Sequence, residues 1–131
     1  PLPERPLVCC VFPAAARDLA DRLQTPICVR TGLDTVMNPR RCDPLEGDDA
    51  RRYDRGKVMT ADELEAGKEF GRYLDVDGDG IPYRTLPGTH PSKGSYFTRG
   101  TTRDPYARYS ESGPDYLYNV LRLLKKFETA K

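Results

Sequence analysis

The segment from Gly71 to Glu111 constrains the fold of this 131-residue chain more than any other. It holds neither a helical nor a strand period over more than a few residues, yet it is dense in Gly, Pro, Tyr, Arg and Asp. A segment of this kind is held by specific contacts and not by regular backbone pairing. We therefore expect a long ordered loop at 71–111, between an α/β part at 1–70 and a C-terminal helix at 112–131.

Basic and acidic side chains nearly balance, with 21 Lys and Arg against 20 Asp and Glu. A chain without a strong net field has no general attraction for polyanions, so neither nucleic acid nor an anionic membrane surface is expected as a partner. The sequence has no run of about 18 apolar residues and no leader segment, which predicts neither a membrane span nor a secretory signal. A cytoplasmic location is the expectation. Because the chain begins at Pro1 and stops within a helical pattern, we expect an excerpt of a longer polypeptide.

The four cysteines do not form a metal-binding pattern. They stand at Cys9, Cys10, Cys28 and Cys42, as one adjacent doublet and two single residues with no CxxC pair. Zinc and iron–sulfur sites need a more regular spacing of their ligands. We expect reduced thiols, as in a cytosolic protein.

The first part of the chain predicts a helix followed by a buried strand. Apolar residues recur at helical spacing after Phe12, and Pro13 suits a first helical turn, so we expect a helix over about 13–24. The apolar run Ile27–Val29 that follows is typical of a strand buried on both faces. A helix that leads directly into such a strand indicates an α/β fold with an incomplete parallel sheet.

Two more helices are expected in the second half. Thr60 and Glu63 have the spacing of a capping box, and a short helix to about Lys68 should follow. Ser112 is the expected cap of the C-terminal helix. That helix carries one apolar stripe, formed by Leu117, Val120, Leu121, Leu124 and Phe127. The stretch between Thr31 and Lys57 has no period and is expected to be a solvated, salt-bridged loop.

Three aspartates in the long loop form the first half of a calcium-binding pattern. Asp75, Asp77 and Asp79 alternate with Val and Gly, so their carboxylates can converge on one cation while Gly80 allows a sharp turn. The last ligand position of such a loop needs a bidentate acid, and Leu86 stands there. The alternative is a metal-free turn rich in Asp and Gly, and both interpretations stay open.

Basic residues in the same loop form a candidate anion site. Arginine forks and the backbone N–H groups of glycines suit a carboxylate or a phosphate. The candidates on the anion or substrate side are His90, Lys93, Arg99 and Arg103, with Arg108 nearby. The alternative is that these cations pair with Asp104, Glu111 and the run of aspartates in the same loop. No catalytic residue is assigned, because no nucleophile or carboxylate is spaced to partner the single His.

Aromatic side chains are interspersed with these cations. Such interleaving can indicate stacking on nucleic acid, but the near-neutral net charge favours rings that pack the loop against its own core or against a partner chain. The aromatic residues are Tyr73, Tyr83, Tyr96, Phe97, Tyr106 and Tyr109.

Several long strings carry a resemblance to a known family. They read DDARRYDRGKV (48–58), GRYLDVDGDGIPYRTLPGTHPSKGSYFTRGT (71–101) and DPYARYSE (104–111), and they lead into LLKKFETAK (123–131). The chain resembles the α subunit of 2-oxoacid:ferredoxin oxidoreductases, and the 2-oxoglutarate type most of all. The resemblance extends more loosely to DLADRLQTP (18–26), so it covers roughly residues 14–131.

This resemblance implies a thiamine diphosphate enzyme that oxidatively decarboxylates a 2-oxo acid such as 2-oxoglutarate. Electrons would pass through an iron–sulfur cluster in a partner chain to ferredoxin, and coenzyme A would take the acyl group. The β subunit would bind the diphosphate and its magnesium, whereas the α chain would cover the pyrimidine ring. The present chain would be the C-terminal part of that pyrimidine-side domain. The family's substrate-facing motifs lie upstream of the matching strings, so the isolated chain is expected to be inactive.

Overall fold

A computed structural model describes residues 6–39, 41, 44 and 49–131. Within them the regular structure is mostly helical, with little strand. The chain divides into two compact units, which we call the N-terminal unit (Pro1–Gly56) and the C-terminal unit (Lys57–Lys131). The helices of the described residues are α1 (Pro6–Leu23), α2 (Leu33–Met37), α3 (Ala61–Glu65) and α4 (Gly113–Thr129).

Helix α1 begins at Pro6, well before the expected start near residue 13. Pro13 lies inside the helix and not in its first turn. A proline within a helix removes its own backbone donor, but the turns on both sides can keep theirs. The apolar residues before Pro13 therefore continue the helix upstream. The end at Leu23 agrees with the predicted end, and the next residue, Gln24, leaves the helix with a positive φ of 49°.

The predicted strand at Ile27–Val29 is wrong for the described residues. The segment is irregular, and the side chains of Cys28 and Val29 are exposed, Val29 by 38%. A parallel strand needs a neighbour for its backbone groups. The pairing found in the described chain is confined to two isolated bridges, Val58 with Arg84 and Arg103 with Tyr109. The parallel sheet of the predicted α/β fold is therefore not formed by these residues.

The predicted loop between residues 31 and 57 contains the short helix α2 and several exposed ion pairs. The pairs join the loop to α1, as between Arg55 and Asp21, where the atoms lie 2.8 Å apart. Cys9, Cys10 and Cys28 are free thiols. Cys42 and the acidic residues of 45–48 lie outside the described residues.

The capping box predicted for α3 is confirmed. The Thr60 hydroxyl accepts a hydrogen bond from the Glu63 backbone N–H at 3.3 Å, and the Glu63 carboxylate accepts one from the Thr60 N–H at 2.8 Å. The helix ends at Glu65, earlier than expected, and Gly67 follows with a φ of +84°. The helix directs Leu64 into a small core, whose other buried apolar residues in this unit are Met59, Ile81 and Ala107.

Helix α4 forms where the sequence predicted it, but its cap differs. The Ser112 hydroxyl makes no capping hydrogen bond, and Pro114 occupies the first turn. The hydroxyl of Ser110 instead donates to the Asp115 carboxylate at 2.5 Å. The proline needs no partner for a backbone donor, which reduces the demand on the cap.

Helix α4 packs on its own unit with its polar face. The loop at 71–111 has little regular pairing, so its backbone carbonyls need donors from elsewhere. Tyr118, Asn119, Arg122 and Thr129 supply side-chain donors from α4. An amphipathic helix of a globular domain usually buries its apolar stripe, but here that stripe is exposed. The exposed large side chains are Tyr116, Leu117, Leu121, Leu123, Leu124 and Phe127.

Across residues 6–39 and 49–131, no helix combines the length and the apolar character that spanning a membrane requires.

Candidate functional site

Side chains of α4 hold the central loop in place. The Tyr118 hydroxyl donates to the Tyr73 carbonyl at 3.2 Å and accepts from the Asp75 N–H at 3.0 Å. The Arg122 guanidinium donates to the buried Gly80 carbonyl at 3.0 Å. These contacts join the loop to the helix over more than 40 residues of sequence. They hold residues 73–80, which include the aspartate turn, against the helix.

Gly80 lies against the backbone of α4. Its φ is +80°, and a Cβ built there would come within 2.4 Å of the Lys126 nitrogen and 2.5 Å of the Arg122 carbonyl oxygen. Both the left-handed backbone and the close approach require glycine. This glycine therefore sets how closely the aspartate turn and the helix can pack.

The three aspartates of the predicted calcium loop have different partners. The Lys57 ammonium lies 2.6 Å from an Asp77 oxygen and 2.8 Å from an Asp79 oxygen. Asp75 points elsewhere and accepts the Gly80 N–H at 3.0 Å. Among the residues that the structure describes, no group of three or more His, Cys, Asp or Glu side chains has the arrangement of a metal site. A lysine ammonium thus holds the position that the calcium hypothesis gives to the ion.

The electrostatics of this lysine follow from two opposing effects. Burial alone would lower the pKa of Lys57, but hydrogen bonds to Asp77 and Asp79 outweigh it and raise the pKa above its ordinary value. The hydrogen bond from Lys57 in turn lowers the pKa of Asp77. The ion pair of Lys57 and Asp77 stabilises the fold only while both groups are charged. This contribution is therefore lost as pH falls through the lowered pKa of Asp77, or as pH rises through the raised pKa of Lys57.

Two of the predicted anion-site residues, His90 and Lys93, meet beside a pocket of about 380 Å³. Both bind the carboxylate of Glu65: His90 through Nε2, and Lys93 through its ammonium at 3.0 Å. The hydrogen bond from His90, followed by that from Lys93, lowers the pKa of Glu65. A carboxylate of this chain already pairs with the two cations, but it is Glu65 and none of the acids that the alternative interpretation named.

Arg99 does not join His90 and Lys93. Its guanidinium lies over the ring of Phe97, 5.2 Å from the centroid, and both residues are exposed. An exposed stack of this kind fixes the side chain only weakly. Arg99 is a surface cation in this structure.

Arg103 lies in a second pocket, and it is only 7% exposed. This pocket has a volume of about 300 Å³ and is bounded by the loop at 100–103 and one side of α4. The helix contributes Arg122, which is 8% exposed, together with Asn119. Thr101 and Thr102 bring hydroxyl groups to the same wall. We call it the two-arginine pocket.

Arg122, the second cation of this pocket, was not among the site residues predicted from the sequence. A signal was present, because Arg122 falls on α4 opposite the apolar stripe, one turn after Tyr118 and one turn before Lys126. Burial lowers the pKa of Arg122, and Arg72 acts in the same direction. Burial also lowers the pKa of Lys126 to about 8, with further contributions from Arg122 and Arg72. The polar face of α4 is a region of excess positive charge.

The aromatic rings of the loop mostly contact cations and other rings. Arg72 lies 5.8 Å from the ring centroid of Tyr73 and 5.5 Å from that of Tyr96, whose ring also meets Phe70 at 6.0 Å. Tyr96 nevertheless remains 38% exposed. The rings therefore pack locally around cations and only in part against a core.

Comparison with models of known protein families and with curated proteins gave no match for this chain.

Proposed function

We propose that this chain is part of the α subunit of a 2-oxoacid:ferredoxin oxidoreductase. The proposal begins from the resemblance of the strings at 48–58, 71–101 and 104–111. In it, thiamine diphosphate and magnesium are bound by the β subunit, and a partner's iron–sulfur cluster passes electrons to ferredoxin. Coenzyme A accepts the acyl group made from a 2-oxo acid such as 2-oxoglutarate. The chain then acts within a cytoplasmic assembly and not alone.

The observation that carries the proposal is the exposed apolar face of α4. Leu117, Leu121 and Leu124 are each more than half exposed, and Phe127 is 64% exposed. Tyr116 and Leu123 add to this set, with exposures of 61% and 42%. Exposed clusters of large apolar side chains usually mark interaction sites. A subunit that works only in a complex would have such a face.

The incomplete sheet belongs to the same proposal. Ile27 to Val29 form an apolar run that is largely exposed in the described residues. Strands from the remainder of an α subunit would cover this run and satisfy its backbone groups. The parallel sheet would then depend on residues outside this chain.

Co-purification with the thiamine-binding β chain of a 2-oxoacid:ferredoxin oxidoreductase tests the proposal. We expect a stable complex of the two and, when the remainder of the α subunit is included, reduction of ferredoxin that needs 2-oxoglutarate, coenzyme A and thiamine diphosphate. In the double variant Leu121→Glu, Leu124→Glu, the complex should be lost while the helical circular dichroism is kept. The exposed leucine Leu33, outside α4, provides a control as Leu33→Glu, which should still associate.

One outcome would overturn the enzyme assignment, and another would overturn the role of the α4 face. One is a β chain that does not associate with the folded wild-type chain, together with no thiamine-dependent decarboxylation. The other is association that survives the α4 double variant and is lost in the Leu33→Glu control, because the apolar face would then have no part in it.

A second candidate is a non-catalytic anion-binding module that docks a partner chain. The two-arginine pocket favours it, since this pocket needs neither thiamine diphosphate nor another subunit to be complete. An anion-binding chain that never associates with a β subunit would support this candidate over the first. A calcium-dependent module is the weaker form of it, because Lys57 already neutralises Asp77 and Asp79.

A further inference from the structure

We propose that the two-arginine pocket is a binding site for a small molecule carrying a carboxylate or a phosphate group. The inference concerns the pocket alone and does not rest on the proposed enzyme. It starts from the chemistry of the lining, which contains two arginines, hydroxyl groups and a side-chain amide.

Arg103 is a buried residue whose Nε has no partner. Within the described residues this Nε is shielded from solvent and makes no hydrogen bond, and the guanidinium lies over the Tyr109 ring, 5.6 Å from its centroid. The backbone of Arg103 is held, because its carbonyl accepts the Asn119 amide at 2.6 Å. Buried charges in proteins are normally paired, since an unpaired one loses its hydration without compensation. A guanidinium held in this way can pair with a bound anion.

Arg122 has N–H donors that the protein does not use. A guanidinium has five N–H donors, and one of them binds the Gly80 carbonyl at 3.0 Å. Its Nε is shielded from solvent and makes no hydrogen bond in the described residues, as is also true for Arg103 Nε. Asp75 acts on Arg122 electrostatically, but its carboxylate is directed at the Gly80 N–H. Two arginines with open donors on one pocket form a suitable cradle for an oxyanion.

The lining of the two-arginine pocket contains basic and neutral residues. No Asp or Glu lines the two-arginine pocket, in contrast to the pocket beside His90 and Lys93, where Glu65 pairs with both cations. The positive charge of Arg72 repels that of Arg122. A bound anion would therefore relieve repulsion as well as provide hydrogen bonds.

The size of the pocket indicates what the anion belongs to. A volume of about 300 Å³ lies at the lower end of the range for small-molecule sites. A neighbouring depression of about 550 Å³ shares Thr101, Thr102 and Tyr116 with it. The ligand can thus be larger than a bare phosphate ion, with its anionic group at the arginines.

Titration of the whole chain with simple anions tests the inference. The probes are inorganic phosphate and succinate, each compared with chloride at equal ionic strength, and binding is read from amide chemical shifts and from Tm. We expect saturable binding of at least one probe, with shifts concentrated at Arg103, Asn119 and Arg122. Tighter binding of phosphate would identify a phosphate ligand, and tighter binding of succinate a carboxylate ligand.

Matched variants separate the pocket from general surface charge. Arg103→Gln should weaken binding at least tenfold, because it removes one guanidinium from the pocket. Arg99→Gln removes the same charge from the nearby surface and should change affinity less than twofold. Arg103→Lys keeps the charge but not the fork, and an intermediate loss is expected.

The inference is overturned by a wild-type chain that responds to phosphate and succinate no more than to chloride. Equal losses in Arg99→Gln and Arg103→Gln would overturn it too, because they would show unspecific attraction. If Arg103→Gln does not fold, the amide chemical-shift changes of the wild-type chain decide the question. Changes at the pocket residues support the site. Changes confined to His90, Lys93 or the chain ends reject it.

Discussion

At the scale of single residues, Gly80 makes the most demanding contact of the central loop. Replacing it with Ala adds a methyl group 2.4 Å from the Lys126 nitrogen and forces a side chain into the left-handed region. We expect Gly80→Ala to lower the free energy of unfolding by about 3 kcal/mol, from backbone strain and overpacking together. Urea denaturation measures the change.

Gly88 is the matched control for this prediction. Its φ of +84° resembles that of Gly80, but a Cβ there would meet nothing within 4 Å. Gly88→Ala should therefore lower the free energy of unfolding only through backbone strain, by about 1 kcal/mol. If both variants lose equal stability, the close approach of the loop to α4 does not contribute.

Lys57 provides a second prediction at this scale. Because its ammonium binds Asp77 and Asp79, calcium has to displace a lysine to occupy the aspartate turn. We expect about 1 mM calcium to leave the Tm of the wild-type chain unchanged, and to raise the Tm of Lys57→Met, in which the two carboxylates lack their cation.

Lys93→Met serves as the control, because it also takes a cation away from a carboxylate, that of Glu65. It should remain insensitive to calcium. A wild-type chain that calcium stabilises by several degrees, and that a chelator destabilises, would instead establish the aspartate turn as a metal site.

At the scale of secondary-structure elements, α3 depends on its first turn. The helix has only five residues, yet it fixes Leu64, which is 4% exposed, in the core. Thr60→Ala removes one side of the capping box and should lower the free energy of unfolding by about 1 kcal/mol. Thr60→Ser keeps the hydroxyl and should lose far less, so equal losses in the two variants would contradict a role for the cap.

At the scale of the whole molecule, the buried apolar side chains are concentrated in the C-terminal unit. Met59, Leu64, Ile81 and Ala107 belong to it, whereas Leu23 is the buried apolar residue described in the N-terminal unit. We expect residues 57–131 alone to unfold cooperatively and to keep dispersed amide resonances. Residues 1–56 alone should not, because the described residues among them bury too little apolar surface to offset the conformational entropy lost on folding.

This prediction is checked by thermal melting and amide spectra of both pieces. Collapsed amide resonances for 57–131, in a sample where the whole chain is folded, would contradict it. They would mean that the core of the C-terminal unit depends on residues before Lys57.

Local sequence patterns determined the parts of this protein that depend on a few neighbouring residues. The capping box of Thr60 and Glu63 and the helical repeat of α4 could be predicted, because their contacts lie within about one turn of the chain. The strand predicted at 27–29 did not form, because a strand depends on contacts that are not local. An apolar run does not contain the neighbouring strand that it would need.

Tertiary structure decided which face of α4 is buried and which cations meet. The apolar stripe predicts burial, but the loop's unpaired carbonyls select the polar face, since Tyr118, Asn119 and Arg122 can donate to them. Lys57 reaches the aspartate turn across about 20 residues, and Arg103 meets Arg122 only through folding of the loop. Such contacts depend on the path of the whole loop, and a path without a regular period leaves no local signal in the sequence.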